Sequence, residues 1–192
     1  MITALILAAG QSKRMGQPKM LLPWGDTTVL GQVIATFKAA GIKDLLVVTG
    51  GAREQVEALV GDSARTAFNP NYGGGEMLSS VQVGLAKLKF RVEAVLIGLG
   101  DQPQVQARSV QLVAEEYIES RASLIVPSFH MRRGHPWLVA RQHWDEILSM
   151  YSPKSPRDFL NRHANDIRYV ELDDPGILKD LDTPEDYLNF KP

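Results

Sequence analysis

Short, continuous apolar runs recur along this chain, and a segment with helical character follows each of them. The longest runs are Ile2–Ala8, Leu45–Val48, Ala94–Leu99 and Ser123–Val126. Runs of this kind are typical of strands buried on both faces, and their alternation with helices implies right-handed crossovers between parallel strands. The sequence therefore predicts an α/β fold around a mainly parallel sheet, with Ala94–Leu99 as a central strand.

The segments between these runs carry helix and turn signals. We expect further strands at Thr66–Phe68 and Arg168–Leu172, and helices at residues 26–40, 52–60, 77–89, 107–120, 141–150 and 156–163, with a last one beginning near Thr183. The stretch Pro127–Ala140 interrupts this rhythm and is interpreted as a hairpin or loop insertion beside the site. Without an internal repeat or linker, the 192 residues are expected to form one domain, 1–192.

Composition excludes several classes of protein. The formal net charge of −1 argues against non-specific nucleic-acid binding, which needs a broad basic surface. The absence of cysteine excludes disulfides and thiol catalysis. The first apolar run has no basic residues before it and is too short for a signal peptide or a membrane span. A cytoplasmic protein without membrane or nucleic-acid partners is expected.

A glycine- and cation-rich loop follows the first strand. Gly10 and Gly16 allow close approach of the backbone to a ligand, and Lys13, Arg14 and Lys19 bring positive charge to the same place. This combination favours a polyphosphate-binding loop. The spacing matches neither the Walker loop nor the dinucleotide fingerprint.

Carboxylates at two places are candidate metal ligands. Asp101 directly follows the most apolar strand, where a turn or cap role is the alternative, and a bound phosphate would call for Mg²⁺ there. Asp182 is the second candidate and Asp180 a weaker one. The segment around Asp182 is equally well explained as a helix start, with Thr183 as the cap and Pro184 at the first position.

A third candidate region joins a glycine-rich loop to a helix start. Gly73, Gly74 and Gly75 precede a helix whose first turn contains Ser79 and Ser80. Free backbone N–H groups at such a position favour an anion. A flexible loop with capping serines is the alternative.

The first loop resembles the signature L-A-A-G-x-S-x-R-M-G-x-x-K of the MobA-like NTP transferase family, including its MocA-type branch. Gly-Asp-Gln-Pro at 100–103, Gly-His-Pro at 134–136 and Leu-Asp-Thr-Pro at 181–184 extend the resemblance over nearly the whole chain. The resemblance implies a three-layer α/β/α, Rossmann-like sheet of the nucleotide-diphospho-sugar transferase type. It also implies Mg²⁺ on Asp101 and Asp182, and nucleotide contacts from Leu7, Ala8, Ala9, Gly10, Arg14, Gly16, Lys19, Gly75, Ser79 and Ser80.

The same resemblance implies nucleotidyl transfer from a nucleoside triphosphate, with Lys19, Arg14 and Asp101 as the catalytic residues. Ala9, where guanosine-specific relatives tend to have glycine, favours CTP, and the MocA-type branch implies a phosphorylated pterin-type acceptor, with a molybdenum hydroxylase or its chaperone as a protein partner. His135 and Arg133 are the candidates for acceptor binding. The remaining histidines, His130, His143 and His163, have no recognisable metal-ligand spacing.

Three other functions stay open at this point. The chain could use GTP, or another small phosphorylated acceptor. It could be a molybdenum cofactor-binding chaperone without turnover. A Rossmann-type oxidoreductase is disfavoured by the missing dinucleotide fingerprint.

Overall fold

A mainly parallel sheet forms the centre of the molecule in a computed structural model that describes residues 1–74 and 77–192. The strands are β1 Ile2–Ala8, β2 Pro23–Trp24, β3 Thr27–Thr28, β4 Asp44–Thr49, β5 Arg65–Phe68, β6 Ala94–Leu99, β7 Leu124–Phe129, β8 Arg132–Arg133, β9 Trp137–Ala140 and β10 Ile167–Glu171. The main sheet has the order β10-β7-β9-β6-β1-β4-β5, and β8 pairs with β7. The predicted α/β class is confirmed.

The order of the strands reverses at β1. The chain passes from β1 outward to β4 and β5, and then returns to place β6 on the other side of β1. Ligands of open α/β sheets bind outside the carboxyl ends of the strands at such a reversal. Here those ends are Ala8 and Leu99, and the glycine-rich loop and Asp101 follow them directly.

Helices cover both faces of the sheet and complete the three layers. They are α1 Val29–Ala39, α2 Arg53–Val60, α3 Met77–Ala86, α4 Ala107–Ser120, α5 Trp144–Ser149, α6 Pro156–Arg162 and α7 Pro184–Phe190. Ile6 and its even-numbered neighbours in β1 pack with α1, α2 and α4, whereas Leu5 and Leu7 pack with α3, α5 and α6. This division follows from the alternation of side chains along a strand.

The interpretation of Pro127–Ala140 as a hairpin or loop insertion beside the site is wrong in one respect. Only Arg132–Arg133 forms a hairpin with β7, whereas Trp137–Ala140 is β9, an antiparallel strand between β6 and β7 inside the main sheet. All four of its residues are buried. Burial on both faces of the sheet explains why an unbroken apolar run occurs here.

A small two-stranded sheet also follows the glycine-rich loop. Strands β2 and β3 pair in antiparallel fashion, and this hairpin leads directly into α1 through the cap residue Thr28, whose hydroxyl accepts from the Gly31 N–H at 3.1 Å. Among the described residues, every helix falls short of the length and apolar character needed to span a membrane.

Candidate active site

A cleft of about 550 Å³ lies at the reversal point of the sheet. It brings together the loop after β1, the turn after β6, the loop before α3 and the segment before α7. Eight of the predicted site residues line it: Leu7, Ala9, Gly10, Arg14, Lys19, Ser80, Asp101 and Asp182. Residues from the first and the last parts of the chain therefore line the same cleft.

The glycine-rich loop is held in shape by two left-handed backbone positions and one side-chain contact. Ser12 has φ 51° and Gly16 has φ 69°, and a short 3₁₀ turn lies between them. The Ser12 hydroxyl accepts from the Lys19 N–H at 3.0 Å. Glycine adopts the left-handed conformation without a steric penalty, which explains its place at 16. A Cβ at Gly10 would meet no atom within 4 Å, so the backbone there is open to the cleft.

Lys19 is the electrostatic centre of the cleft. Its side chain is only 10% exposed, and its Nζ forms ion pairs with Asp101 and with Asp182, the latter at 3.2 Å. Burial alone would lower the pKa of Lys19, but the two carboxylates outweigh it and raise that pKa above its usual value. The ammonium group is therefore charged at neutral pH. Lys19 thus joins the glycine-rich loop to Asp101, the carboxylate that follows β6.

Arg14 adds a second, more exposed cation. Its guanidinium donates to the Asp182 carboxylate at 2.8 Å, while its side chain remains 69% exposed. An exposed ion pair of this kind contributes little to stability. The guanidinium can therefore turn towards an anion in the cleft.

The segment before α7 brings its carboxylates to the cleft by two anchors. Leu181 is fully buried with Met15 and Trp24, and its N–H donates to the Asp101 carbonyl at 3.1 Å. The predicted cap role belongs to Thr183, which forms a reciprocal capping box with Asp186. Asp182 therefore does not cap α7, and it lines the cleft.

Asp180 is a third carboxylate of the same cleft. The Gln102 amide donates to it at 2.7 Å. Burial raises the pKa of Asp180, and repulsion from Asp101 adds to this. Carboxylate oxygens are the donors that Mg²⁺ and Mn²⁺ prefer, so the chemistry of the residues present fits a divalent cation. Asp180, the weaker alternative from the sequence, therefore lies in the cleft with Asp101 and Asp182, and its role as a metal ligand stays a prediction.

The opposite wall is formed by the loop before α3 and the start of that helix. Tyr72, Gly73, Gly74, Met77 and Ser80 line it. Buried Asn69 stabilises this wall, because its amide donates to the hydroxyls of Ser79 at 2.9 Å and Ser80 at 3.0 Å.

The other predicted nucleotide-binding residues are not among the described residues that line the cleft. Gly75 lies outside the described residues. Ala8 packs with the helix layer on the other face of the sheet, and Gly16 ends the 3₁₀ turn, where its N–H donates to the Lys13 carbonyl at 3.4 Å. Their nucleotide contacts, and that of Ser79, stay predictions.

The two acceptor-binding candidates do not occur among the described residues that line the cleft. The Arg133 guanidinium donates to Tyr169 at 2.9 Å and to Asn161 at 2.8 Å. His135 is half-buried, its N–H donates to the Ile177 carbonyl at 3.1 Å, and burial lowers its pKa to about 4.

Sequence reasoning missed Tyr72, Met77 and Gln11 as cleft residues. An aromatic residue directly before a glycine run was a usable signal for Tyr72. Nothing in the local pattern distinguishes Met77 from an ordinary apolar helix residue.

The chain is similar to known proteins over most of its length. Residues 4–167 match the MobA-like NTP transferase domain. The chain is 28% identical to the molybdenum cofactor cytidylyltransferase of Escherichia coli, over 99% of this chain and 95% of that protein. It is also 28% identical to the nicotine blue oxidoreductase of Paenarthrobacter nicotinovorans, over 96% and 93% of the two chains.

A solved structure is similar over the same extent. Rv0371c of Mycobacterium tuberculosis superposes with a TM-score of 0.86 at 30% identity, covering 98% of this chain and 96% of that one. The same mycobacterial protein has also been solved in complex with manganese.

Proposed function

This chain belongs to the MobA-like NTP transferase family, and on that premise we propose that it transfers CMP from CTP to the terminal phosphate of a molybdopterin-type cofactor and releases pyrophosphate. The observation that carries the proposal is the meeting of Lys19 with Asp101 and Asp182 across the cleft. A triphosphate needs both a buried cation and a carboxylate set that can hold a divalent ion.

The reaction requires positioning and charge neutralisation rather than a nucleophilic side chain. The acceptor phosphate is mostly ionised at neutral pH, because its second pKa is about 6, so no general base is needed. One of its oxygens forms a bond to the α-phosphorus of CTP, and the bond from that phosphorus to the bridging oxygen of the β-phosphate breaks. Lys19 neutralises charge on the α-phosphate, and Arg14 binds the β- and γ-phosphates.

Asp101 and Asp182 are the proposed ligands of the metal ion. Asp180 is a third carboxylate in the cleft that could share the ion. A bound Mg²⁺ would supply positive charge to the phosphate oxygens. Lys19 and Arg14 donate to these same carboxylates, so both cations exchange carboxylate oxygens for phosphate oxygens when substrate binds.

The preference for CTP is supported by Ala9, which lines the cleft, and by similarity to a molybdenum cofactor cytidylyltransferase. One methyl group contributes about 1–3 kcal/mol of discrimination in a pocket, so the preference over GTP should be measurable. The product would pass to a molybdenum hydroxylase or its chaperone in the cytoplasm.

A panel of CTP, GTP and ATP against molybdopterin cofactor and other phosphorylated alcohols, with released pyrophosphate as the readout, tests this function. The proposal predicts Mg²⁺-dependent release with CTP and the pterin acceptor. Release with GTP only, or with another acceptor only, would reassign the substrate.

The similarity to nicotine blue oxidoreductase makes an oxidoreductase the second candidate. Consumption of NADH or NADPH without pyrophosphate release would favour that function. Binding of the pterin cofactor without any turnover would favour a chaperone.

A further inference from the structure

A second group of side chains with metal-ligand character lies outside the cleft. One ligand atom from each of His143, Glu146 and His163 lies within 4.8 Å of the other two. His143 directly precedes α5, Glu146 lies in its first turn, and His163 directly follows α6. Two helices that are separate in sequence therefore contribute to one cluster.

The cluster lies at the opposite edge of the sheet from the cleft. The ring nitrogen Nε2 of His143 is 2.9 Å from the hydroxyl of Ser123, which directly precedes β7. Close by, β9 ends at Ala140, which pairs with Ala94, the first residue of β6. The cleft lies beyond the other end of β6, at Leu99 and Asp101.

We propose that His143, Glu146 and His163 bind a divalent transition-metal ion of the Zn²⁺ type, which links α5 to α6. Two imidazole nitrogens and one carboxylate oxygen form a ligand set that Zn²⁺ uses with water in the fourth position. This donor set differs from the all-carboxylate set of the cleft, which suits Mg²⁺.

Hydrogen bonds within and beside the cluster position the proposed ligands. The Nδ1 of His163 is 3.1 Å from the Asp166 carboxylate, and its Nε2 is 2.8 Å from Oε2 of Glu146. A carboxylate behind a histidine orients the ring and raises its basicity towards a metal. The ligand atoms of a tetrahedral site lie about 3.4 Å apart when each is about 2.1 Å from the ion, so His163 and Glu146 need to separate only slightly.

Charge and packing also favour a cation here. Glu146 and Asp166 carry two negative charges, and Arg162, whose guanidinium contacts Glu146 at 3.0 Å, carries one positive charge, which leaves a net charge of −1. Phe159 is fully buried, and its ring centroid lies 4.7 Å from that of His163 and 5.6 Å from that of His143. An apolar wall on one side strengthens the attraction between the ligands and an ion.

Titration of the metal-free full chain with Co²⁺, in excess Mg²⁺ to occupy the cleft, tests the site. We expect one equivalent of Co²⁺ to bind with a visible absorption band typical of nitrogen ligands, and Asp101→Asn to leave this band unchanged. His163→Gln and Glu146→Gln should each weaken Co²⁺ binding at least tenfold. The matched control is His130→Gln, which changes an exposed histidine and should have no effect.

A stability readout separates ligand loss from misfolding. Zn²⁺ should raise the melting temperature of the wild-type protein and of His130→Gln, because an ion that binds only the folded state stabilises it, and should not raise that of Glu146→Gln. Glu146→Gln retains the shape and a hydrogen-bonding side chain, so it remains informative if His163→Gln does not fold. Equal Co²⁺ affinity in the wild type and Glu146→Gln would overturn the proposal. So would the absence of the absorption band from the wild type, or its loss in Asp101→Asn.

Discussion

At the residue scale, Lys19 places a buried positive charge in the cleft. The ammonium group of Lys19 is largely removed from water, and the two carboxylates beside it raise its pKa against the effect of burial. Removal of one partner from a buried pair leaves the other uncompensated, which is strongly unfavourable. Such an arrangement is costly as scaffolding, but it suits a ligand that brings its own negative charge.

Burial also lowers the pKa of His135, and this leads to a prediction about pH. The pKa of its imidazole falls from 6.5 to about 4 on folding. Between these values the unfolded chain binds the proton and the folded chain does not, so the free energy of unfolding should decrease as the pH falls from 6.5 towards 4. Urea unfolding of the wild type and His135→Gln at pH 7 and pH 5 measures this, and the variant should lose less stability over that interval.

The control for this measurement is His130→Gln, which removes an exposed histidine. It should retain the wild-type dependence on pH. Identical losses of stability in the wild type and His135→Gln would contradict the assigned effect of burial.

At the scale of secondary-structure elements, the segment that leads into α7 connects the end of the chain to the first loop. Leu181 fills the small cluster of Met15, Leu22, Trp24 and Val29, and the Tyr187 hydroxyl donates to the Pro23 carbonyl at 2.7 Å. These contacts set the positions of the two carboxylates that flank Leu181. Stability and site geometry are therefore coupled here.

Leu181→Ala should test that coupling. A buried leucine-to-alanine change costs about 2–5 kcal/mol of unfolding free energy, because it removes apolar contacts and leaves a cavity. Leu188→Ala is the matched control, since that leucine is 62% exposed and should change stability by less than about 0.5 kcal/mol. Urea midpoints measure both changes, and an unchanged midpoint in Leu181→Ala would show that the cluster does not hold the segment.

The elements that could be predicted are those with strong local signals. The helix at Ala107–Ser120 has the predicted bounds, and Thr183 caps α7 as expected. The place of β9 could not be predicted, because four apolar residues do not reveal whether they lie in a loop or between two distant strands. The ends of α3 and α5 differ from the prediction by a few residues for the same reason, since neighbouring contacts decide where a helix stops.

At the scale of the whole molecule, the sheet separates two sites of different chemistry. Its carboxyl-end edge holds the cations and carboxylates of the cleft, and the opposite edge holds the histidine cluster. The sequence could predict the first site because each of its motifs directly follows a strand, where ligands bind in this class of fold. It could not predict the second, because His143 and His163 meet only through the packing of α5 and α6.

The same distinction applies within the cleft. The approach of Lys19 to Asp182 joins positions 163 residues apart, and it was expected only through resemblance to a family. The local pattern around Asp182 equally supported a helix start, and only the fold shows that Asp182 also lines the cleft.

The rate of pyrophosphate release in Lys19→Met, measured with saturating CTP, Mg²⁺ and pterin acceptor, tests the central claim most directly. Loss of one electrostatic contact to a transferring phosphate costs about a hundredfold or more in rate. We therefore predict at least that decrease in Lys19→Met, and wild-type turnover in Lys43→Met, where an exposed lysine outside the cleft is changed in the same way. Near wild-type turnover in a folded Lys19→Met protein would contradict the account.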